Sequence, residues 1–396
     1  MAKLRKAYRF RMKPTKDQEH ILNRMAGARR WVWNWALGRR KEHYRDFGKT
    51  LTATAMCSEL AALKTRAETA WLKEADSQAL QQAIKDLDRA FVNFFAGRAK
   101  FPRFKSKKRD KARFRIPQRV KLAEGRVYVP KVGFVKIRQT RDVTETFKSA
   151  TFRREANGRW YVSLAVEFEM PDVALPTPDP LKVVGIDLGL KDFAVISDGE
   201  RTPAPKFYRK AQKRLKRAQR HVSRCVTGSK RHGKAKARVT RIHQQVADRR
   251  KDFLHQLTAD LVSEYEGICI EDLNLKGLTR TKLAKSFTDA SLGEFRRQVE
   301  YKSTWNRKPL IVVDRFFPST RLCRGCGEVN QELTLRDRHW VCGCGMVHDR
   351  DLSAAINIRD EGLRLLAEPP GRVTPDRLIA QGEGIRPGTS GLPSSN

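Results

Sequence analysis

The sequence predicts an α+β protein of several domains, and three patterns indicate it. Short segments within residues 101–172 alternate apolar and polar side chains, as half-buried strands do. Longer segments within residues 15–100 carry apolar side chains at helical spacing. A proline-rich segment, 173–180, separates this half from a second mixture of strand and helix patterns, and we predict that it is a stiff linker.

The composition indicates a polyanionic partner. Lysine and arginine number 82 against 44 acidic residues, which gives a formal net charge of +38 over 396 residues. Such an excess is typical of nucleic-acid-binding proteins. An anionic membrane surface would also attract a protein with this positive charge, but no segment approaches the roughly 20 apolar residues of a spanning helix. The N-terminus has no apolar stretch of the kind found in secretory signals.

The first half predicts a small antiparallel barrel that is interrupted by helices. Residues 1–14 alternate basic and apolar side chains, as a strand would, and end at Pro14. Helical spacing then extends over three segments, Asp17 to about Arg45, Thr54–Thr65 and Ser77–Phe95. Short strand patterns follow at Arg126–Pro130, Phe134–Arg138, Thr146–Arg153 and Trp160–Glu167.

The second half opens with a predicted β-hairpin. An apolar run leads up to Asp187, a turn follows, and a second apolar run comes after the turn. RNase H-like folds begin with strands in this order. A long helix pair is predicted over about 208–265. Further on, GICIE is predicted to be a buried strand, SLGEFRRQVEYKSTW a helix and PLIVV another strand.

The helix pair is strongly basic. Between Lys206 and Lys251 there are 18 lysines or arginines and one acid, Asp248. This density favours contact with phosphates, for which the candidates on the first helix are Lys213, Arg214, Lys216 and Arg217. The alternative is a solvated helix face without a ligand.

Three carboxylates lie in separate predicted elements. Asp187 and Glu271 each follow an apolar run, and Asp351 begins the AAINI helix. Two Mg²⁺ ions about 4 Å apart, bridged by such carboxylates, stabilise the attacking and leaving oxygens of an in-line displacement. The combination therefore predicts a divalent-metal site that acts on phosphates, and carboxylate ligands suit Mg²⁺. Other nearby acids are interpreted as surface or cap residues: Asp192, Asp272 and Asp349.

Four of the seven cysteines are clustered: Cys323, Cys326, Cys342 and Cys344. Two closely spaced pairs, separated by fifteen residues, are typical of a zinc ribbon in which four thiolates hold one tetrahedral zinc. The second pair is one residue shorter than the usual spacing, so His339 and His348 are possible substitute ligands. The alternative is a loop of reduced cysteines without metal.

Five motifs together resemble one family. They are GIDLGLKDFA, KDFLHQLTADLV, IEDLNLKG, FPSTRLCRGCG and HDRDLSAAINI. The chain, from its first strand to about Leu366, is similar to TnpB, the transposon-encoded RNA-guided nuclease related to type V CRISPR effectors. The resemblance implies a wedge-type β-barrel with an inserted helical recognition block, and a RuvC-like (RNase H-like) nuclease domain with an inserted zinc ribbon. The matching catalytic positions are Asp187, Glu271 and Asp351.

The resemblance also implies the partners and the boundaries. One chain would bind one transposon-derived non-coding guide RNA and cut double-stranded DNA beside a short transposon-adjacent motif, in a prokaryotic cytoplasm and at the nucleoid when bound to DNA. We predict the barrel at 1–14 and 101–172, the helical block at 15–100, the linker at 173–180, the RuvC-like domain at 181–320 and 347–366, the zinc ribbon at 321–346 and a disordered tail at 367–396.

Several contacts and functions stay open at this point. Gln81 is a candidate for reading adenine in the motif. Phe104 and Phe114 either stack on unpaired bases or belong to the barrel core. The family's usual asparagine two residues after the final acid is Ser353 here, and we expect tuning of activity rather than loss. The alternative functions are a guide-RNA-dependent DNA-binding regulator with little cleavage and a DDE-type transposase.

Overall fold

A computed structural model describes residues 2–170, 175–334 and 336–368. The chain divides into two compact units, Met1–Met170 and Pro171–Asn396. The first two residues of the predicted linker, and all of the predicted tail after Glu368, lie outside the described residues. Within the described ranges, no helix is both long and apolar enough to span a bilayer.

The first unit begins with a long strand and three helices. They are β1 (Ala2–Lys13), α1 (Lys16–Phe47), α2 (Ala53–Leu63) and α3 (Ser77–Phe95), with a 3-10 helix at Ala67–Glu74 before α3. α1 begins after Thr15 because a capping box forms there, in which Thr15 and Gln18 satisfy each other's backbone N–H groups. It ends at Gly48, whose φ of 64° lies in the left-handed region that glycine adopts without strain.

Seven strands of the first unit form one antiparallel sheet. The strands after α3 are β2 (Arg113–Ile116), β3 (Lys121–Ala123), β4 (Arg126–Val129), β5 (Gly133–Arg138), β6 (Phe147–Arg154) and β7 (Trp160–Met170). The order is β2-β6-β7-β1-β5-β4-β3, so β1 lies in the middle. Alternate residues of β1, Tyr8, Phe10 and Met12, are buried in a core shared with the helices. Closure of this sheet into a barrel stays a prediction.

The second unit contains a five-stranded mixed sheet. Its strands are β8 (Val183–Leu188), β9 (Asp192–Ile196), β10 (Arg201–Pro203), β11 (Gly267–Glu271) and β12 (Leu310–Val313). The order is β10-β9-β8-β11-β12; β8, β9 and β10 are antiparallel, whereas β11 runs parallel to both β8 and β12. The apolar runs of the parallel strands are buried because helices cover both faces.

The remaining elements of the second unit are helices and a small strand hairpin. The elements are α4 (Phe207–Ser223), α5 (Lys230–Glu264), α6 (Leu275–Leu278), α7 (Ala284–Ala290), α8 (Leu292–Trp305), the small hairpin β13 (His339–Val341) and β14 (Val347–Asp349), and α9 (Arg350–Ala367). The end of α5 packs with α8 on one face of the sheet. α9 covers the other face. α4 pairs with the first part of α5 through a small apolar core of its own.

Two glycines let α9 lie directly on the sheet. A Cβ at Gly185 of β8 would overlap the carbonyl oxygen of Ala355, and a Cβ at Gly362 of α9 would overlap the sulfur of Cys269 in β11. Such close approach is possible only where a side chain is missing. The first turn of α9 is therefore held at the carboxyl end of β8.

Candidate active site and cysteine cluster

The three predicted catalytic carboxylates lie on β8, β11 and α9. Ile186 and Ile270 are paired in register on the parallel strands β8 and β11, so the next residues, Asp187 and Glu271, stand side by side at one sheet edge. Asp351 lies in the first turn of α9, which packs on the same sheet. Neighbouring parallel strands in register direct paired side chains to the same face.

Electrostatics indicate that these carboxylates interact. Burial, and then the negative charges of Asp351 and Glu271, raise the pKa of Asp187 to about 7, against the opposing effect of Arg350 and Arg338. Burial also raises the pKa of Glu271. A buried carboxylate whose pKa is raised by desolvation and by neighbouring negative charges is suited to a bound cation, which offsets both effects. The donor set therefore fits Mg²⁺, which prefers carboxylates.

Asp351 is held by two arginines. Arg338 Nη1 lies 2.8 Å from one carboxylate oxygen, and Arg350 Nη2 lies 3.0 Å from the other. Arg338 belongs to the predicted zinc ribbon, directly before β13. The orientation of Asp351 thus depends on the cysteine-containing segment as well as on α9.

The acids interpreted as surface or cap residues have structural partners. Asp349 is the N-cap of α9, and it accepts a hydrogen bond from the Leu352 N–H at 2.9 Å. Burial acts to raise its pKa, but this hydrogen bond and Arg201, 2.8 Å away, lower it below the usual value. Asp272 pairs with Arg296 and Arg315, and Asp192 lies 3.6 Å from Arg201.

The four clustered cysteines converge on one point. Their sulfurs all lie within 4.8 Å of one another. The sulfurs of Cys323 and Cys344 are 3.6 Å apart, and those of Cys326 and Cys342 are 3.5 Å apart. Sulfurs bound tetrahedrally to zinc at about 2.3 Å would lie roughly 3.8 Å apart. The cysteines therefore fit a structural zinc despite the shortened second pair.

The two histidines considered as substitute ligands have other contacts. His339 is exposed and lies 3.4 Å from Asp349. His348 is buried and stacks on Trp340 at 4.2 Å between ring centroids. One of its ring nitrogens lies 3.2 Å from the sulfur of Cys323, and the other lies 3.2 Å from the hydroxyl of Ser353.

Ser353 and Asn357 join α9 to the cysteine cluster. Buried Ser353 contacts His348, which in turn contacts Cys323. One turn later, the Asn357 side-chain amide donates to the carbonyls of Ser319 and Leu322 at 2.7 and 2.9 Å. Outer contacts of this kind orient metal ligands and the elements beside them. Sequence reasoning considered Ser353 for its departure from the family pattern but did not predict this connection.

The basic helix pair presents its charges outward. On α4, the residues Lys213, Arg214, Lys216 and Arg217 are exposed, while Leu215 packs against α5. Among these four, Arg214 donates to the Gln245 side chain at 3.0 Å. Gln81 is likewise exposed on α3. Because these side chains are exposed, a nucleic acid could reach each of them.

One predicted nucleic-acid contact needs correction. Phe114 is fully buried and packs on Phe152 at 4.9 Å and on Trp160 at 6.1 Å between ring centroids. It belongs to the core of the first unit, so it cannot stack on a base. Phe104 is 48% exposed and stays a candidate.

Family models match three parts of the chain. Residues 163–282 match OrfB_IS605, described as a probable transposase, and residues 293–358 match the TNB domain of Cas12f1-like proteins. Residues 1–49, which contain β1 and α1, match a helix-turn-helix domain model, HTH_OrfB_IS605.

Curated relatives match nearly the whole chain. A Streptomyces pristinaespiralis protein is 38% identical over 392 residues, which cover 98% of this chain and 93% of the relative. InsQ of Escherichia coli (strain K12) is 35% identical over 380 residues, covering 91% and 93%. Both are named as candidate RNA-guided DNA endonucleases. Among solved structures, a Cas12f1–sgRNA–target DNA complex is similar, with a TM-score of 0.48, 13% identity and coverage of 90% of this chain and 99% of that chain.

Proposed function

The chain belongs to the TnpB family, and from this premise we propose that it is an RNA-guided DNA endonuclease. It uses a transposon-derived non-coding RNA to bind double-stranded DNA and cuts that DNA beside a short transposon-adjacent motif. The observation that carries the proposal is the convergence of Asp187, Glu271 and Asp351 at one end of the sheet. Burial, and then the negative charges of the other two carboxylates, raise the pKa of Asp187 to about 7. A metal-dependent phosphodiesterase needs such a site.

The proposed domains follow from the topology. The first unit is a wedge-type barrel with helices α1–α3 inserted after its first strand. In the second unit, the sheet is a RuvC-like, RNase H-like core, which its antiparallel β8–β9–β10 segment and the parallel strands β11 and β12 support. The segment with the four cysteines is a zinc ribbon inserted between the strand of Glu271 and the helix of Asp351.

The site's residues divide the catalytic tasks. Asp187, Glu271 and Asp351 would hold two Mg²⁺ ions, which would supply an activated water and charge stabilisation of the leaving oxygen. Arg338 and Arg350 fix the Asp351 carboxylate. A hydrogen bond from the Ser319 hydroxyl acts on Glu271 and opposes the rise in its pKa. The four cysteines would hold one zinc with a structural role.

Cleavage should require more magnesium at low pH. The Asp187 carboxyl, with a pKa of about 7 in the metal-free protein, is protonated below pH 7, and this proton competes with the metal. The Mg²⁺ concentration for half-maximal cleavage should therefore be roughly tenfold higher at pH 6 than at pH 8. Magnesium titrations with saturating guide RNA and target would measure it. Equal magnesium requirements at both pH values would contradict the assignment.

The exposed face of α4 is the proposed path for RNA or the RNA–DNA heteroduplex. Changing Lys213, Arg214, Lys216 and Arg217 to glutamate should weaken guide-RNA binding by about tenfold or more near physiological salt, because phosphate contacts are lost. The slope of log affinity against log salt should also become shallower. Filter binding or fluorescence anisotropy over a salt series would measure both.

A charge-preserving exchange is the matched control. Replacing each of these four lysines by arginine and each arginine by lysine keeps the local charge, and binding should stay near that of the parent chain. If the glutamate variant bound RNA as tightly as the parent, α4 would be a solvated face, and this path would be wrong.

Copurifying RNA is the direct test of the proposed function. The purified chain should carry a structured RNA that, once sequenced, directs cleavage of a matching DNA duplex. Guided binding without cleavage would indicate the regulator instead. The transposase alternative, which the description of the family model over residues 163–282 favours, predicts strand transfer at transposon ends without RNA.

A further inference from the structure

Three phenylalanines of the first unit are exposed: Phe95, the last residue of α3, and Phe101 and Phe104 in the segment that follows it. We refer to these three as the aromatic platform. Phe95, Phe101 and Phe104 have 77%, 47% and 48% of their surface exposed. A phenylalanine ring is a large apolar surface that folded proteins usually bury. Phe95 and Phe101 both contact Phe94, and Phe104 follows three residues after Phe101. Several exposed rings within one short segment indicate a binding surface.

The platform is fixed by the turn that follows α3. Gly97 adopts a left-handed φ of 67°, and the N–H groups of Arg98 and Ala99 both donate to the Asn93 carbonyl. This turn reverses the chain, so the ring of Phe101 packs edge-on against the ring of Phe94 at 5.2 Å between centroids. Phe101 also meets buried Phe91, at 5.4 Å.

Hydrogen bonds on both sides of Phe104 hold its ring outward. The Trp33 indole N–H donates to the carbonyl of Arg103 at 3.0 Å. The Asn34 side chain donates to the Lys105 carbonyl at 2.8 Å and accepts from the Lys105 N–H at 2.7 Å. Because the backbone on either side is tied to α1, the ring is presented without a large loss of entropy on binding.

The surroundings of the platform are cationic. Residues 96–112 contain eight lysines or arginines and a single acid, Asp110, which pairs with Arg103. Lys41 Nζ lies 5.7 Å from the centroid of the Phe104 ring. The exposed cations of the segment include Arg98, Lys100, Lys107 and Lys108, and none of these four forms an ion pair with another residue in the described ranges. An anionic ligand with flat faces is complementary to this surface.

We propose that the aromatic platform binds unpaired nucleotides of single-stranded RNA. Bases stack on Phe95, Phe101 and Phe104, while the phosphates between them contact the surrounding lysines and arginines. Single-stranded nucleic acids are bound in this way, since every base has a stacking face and every linkage has a charge. The assignment rests on the proposed function, in which RNA is the partner, and names a site on the protein for part of that RNA.

The test uses the full chain with labelled 15-nucleotide RNA, unstructured, and a 15-base-pair RNA duplex of the same sequence. Phe95→Ala combined with Phe104→Ala should weaken binding of the single strand by about tenfold or more, and duplex binding by less than about twofold. The salt dependence of single-strand binding should stay unchanged, because no phosphate contact is removed. Fluorescence anisotropy would measure both properties.

Two further variants identify the chemistry at the same positions. Tyrosine at both positions should restore binding, because it keeps the aromatic face, whereas leucine should bind as weakly as alanine. Parent-like RNA binding by the alanine or the leucine variant would overturn the proposal, because it would show that no aromatic face is needed at these positions. A loss confined to DNA of the same sequence would also overturn it and assign the platform to a displaced DNA strand.

The outcomes separate this site from the proposed function. If the parent chain bound no RNA, the proposed function itself would fail. If the parent bound RNA and the alanine variant bound it equally, only the platform would fail. An unchanged melting temperature for the variants would show that the fold is intact, and it is expected because Phe95 is mostly exposed and Phe104 about half exposed.

Discussion

Alanine at Asp187, Glu271 or Asp351 is expected to abolish target cleavage and leave guided DNA binding nearly unchanged. In the proposed mechanism the carboxylates would hold cations that act on the transition state, whereas binding would depend on base pairing and basic contacts. Loss of one ligand should slow cleavage by roughly a thousandfold or more. Single-turnover cleavage, measured beside binding to the same guided target, would test this.

The control for these variants should lie on α9 without supporting the site. Asp349→Ala is unsuitable, because Asp349 caps the helix that carries Asp351, and loss of a cap costs about 1 kcal/mol. Asp360→Ala is better matched, since Asp360 is exposed further along α9 and pairs only with its neighbour Arg359 among the described residues. Cleavage near the parent rate by Asp187→Ala, Glu271→Ala or Asp351→Ala would remove that residue from the site.

Loss of a cysteine ligand should disturb both zinc content and fold. We expect about one zinc per chain, and Cys323→Ser should lose it and lower the melting temperature, because metal binding and local folding are coupled. Buried Cys323 also contacts His348, which reaches Ser353 of α9, so cleavage should fall as well. Elemental analysis and thermal unfolding would measure the two effects.

Cys225→Ser is the matched control for the zinc experiment. Cys225 follows α4, outside the four-cysteine cluster. Its replacement should leave zinc content and melting temperature near those of the parent chain. An active parent protein that contained no zinc would rule out the structural metal.

Strong local patterns explain which elements could be predicted from the sequence. The helix Ser77–Phe95 is predicted with its observed bounds because its apolar residues recur at regular helical spacing, and the structure adds Asp76 as its N-cap. The strand β11 is predicted as a buried strand because its apolar residues form a continuous run. The short helices α6 and α7 were not predicted, since neither is long enough to show a period. The pairing of β1 with both β5 and β7 joins distant segments, which no local pattern specifies.

The candidate site shows the same division. Asp187 and Glu271 could be proposed because each ends an apolar run, and Asp351 because it begins a helix. The contact of Arg338 with Asp351 could not be predicted, because the hairpin of β13 and β14 lies between these two residues in the sequence. Phe104 and Phe114 lie in one basic segment, and only their packing distinguishes an exposed ring from a core ring.

Gly185 affects how members of the family should be sorted into cutting and non-cutting proteins. A side chain at this position would meet the Ala355 carbonyl oxygen, so α9 would have to shift and take Asp351 with it. Such a protein would keep all three carboxylates and lose the spacing between them. A survey that infers activity from the three carboxylates alone would therefore count inactive proteins as nucleases. The residue at the position of Gly185 should be examined together with the carboxylates.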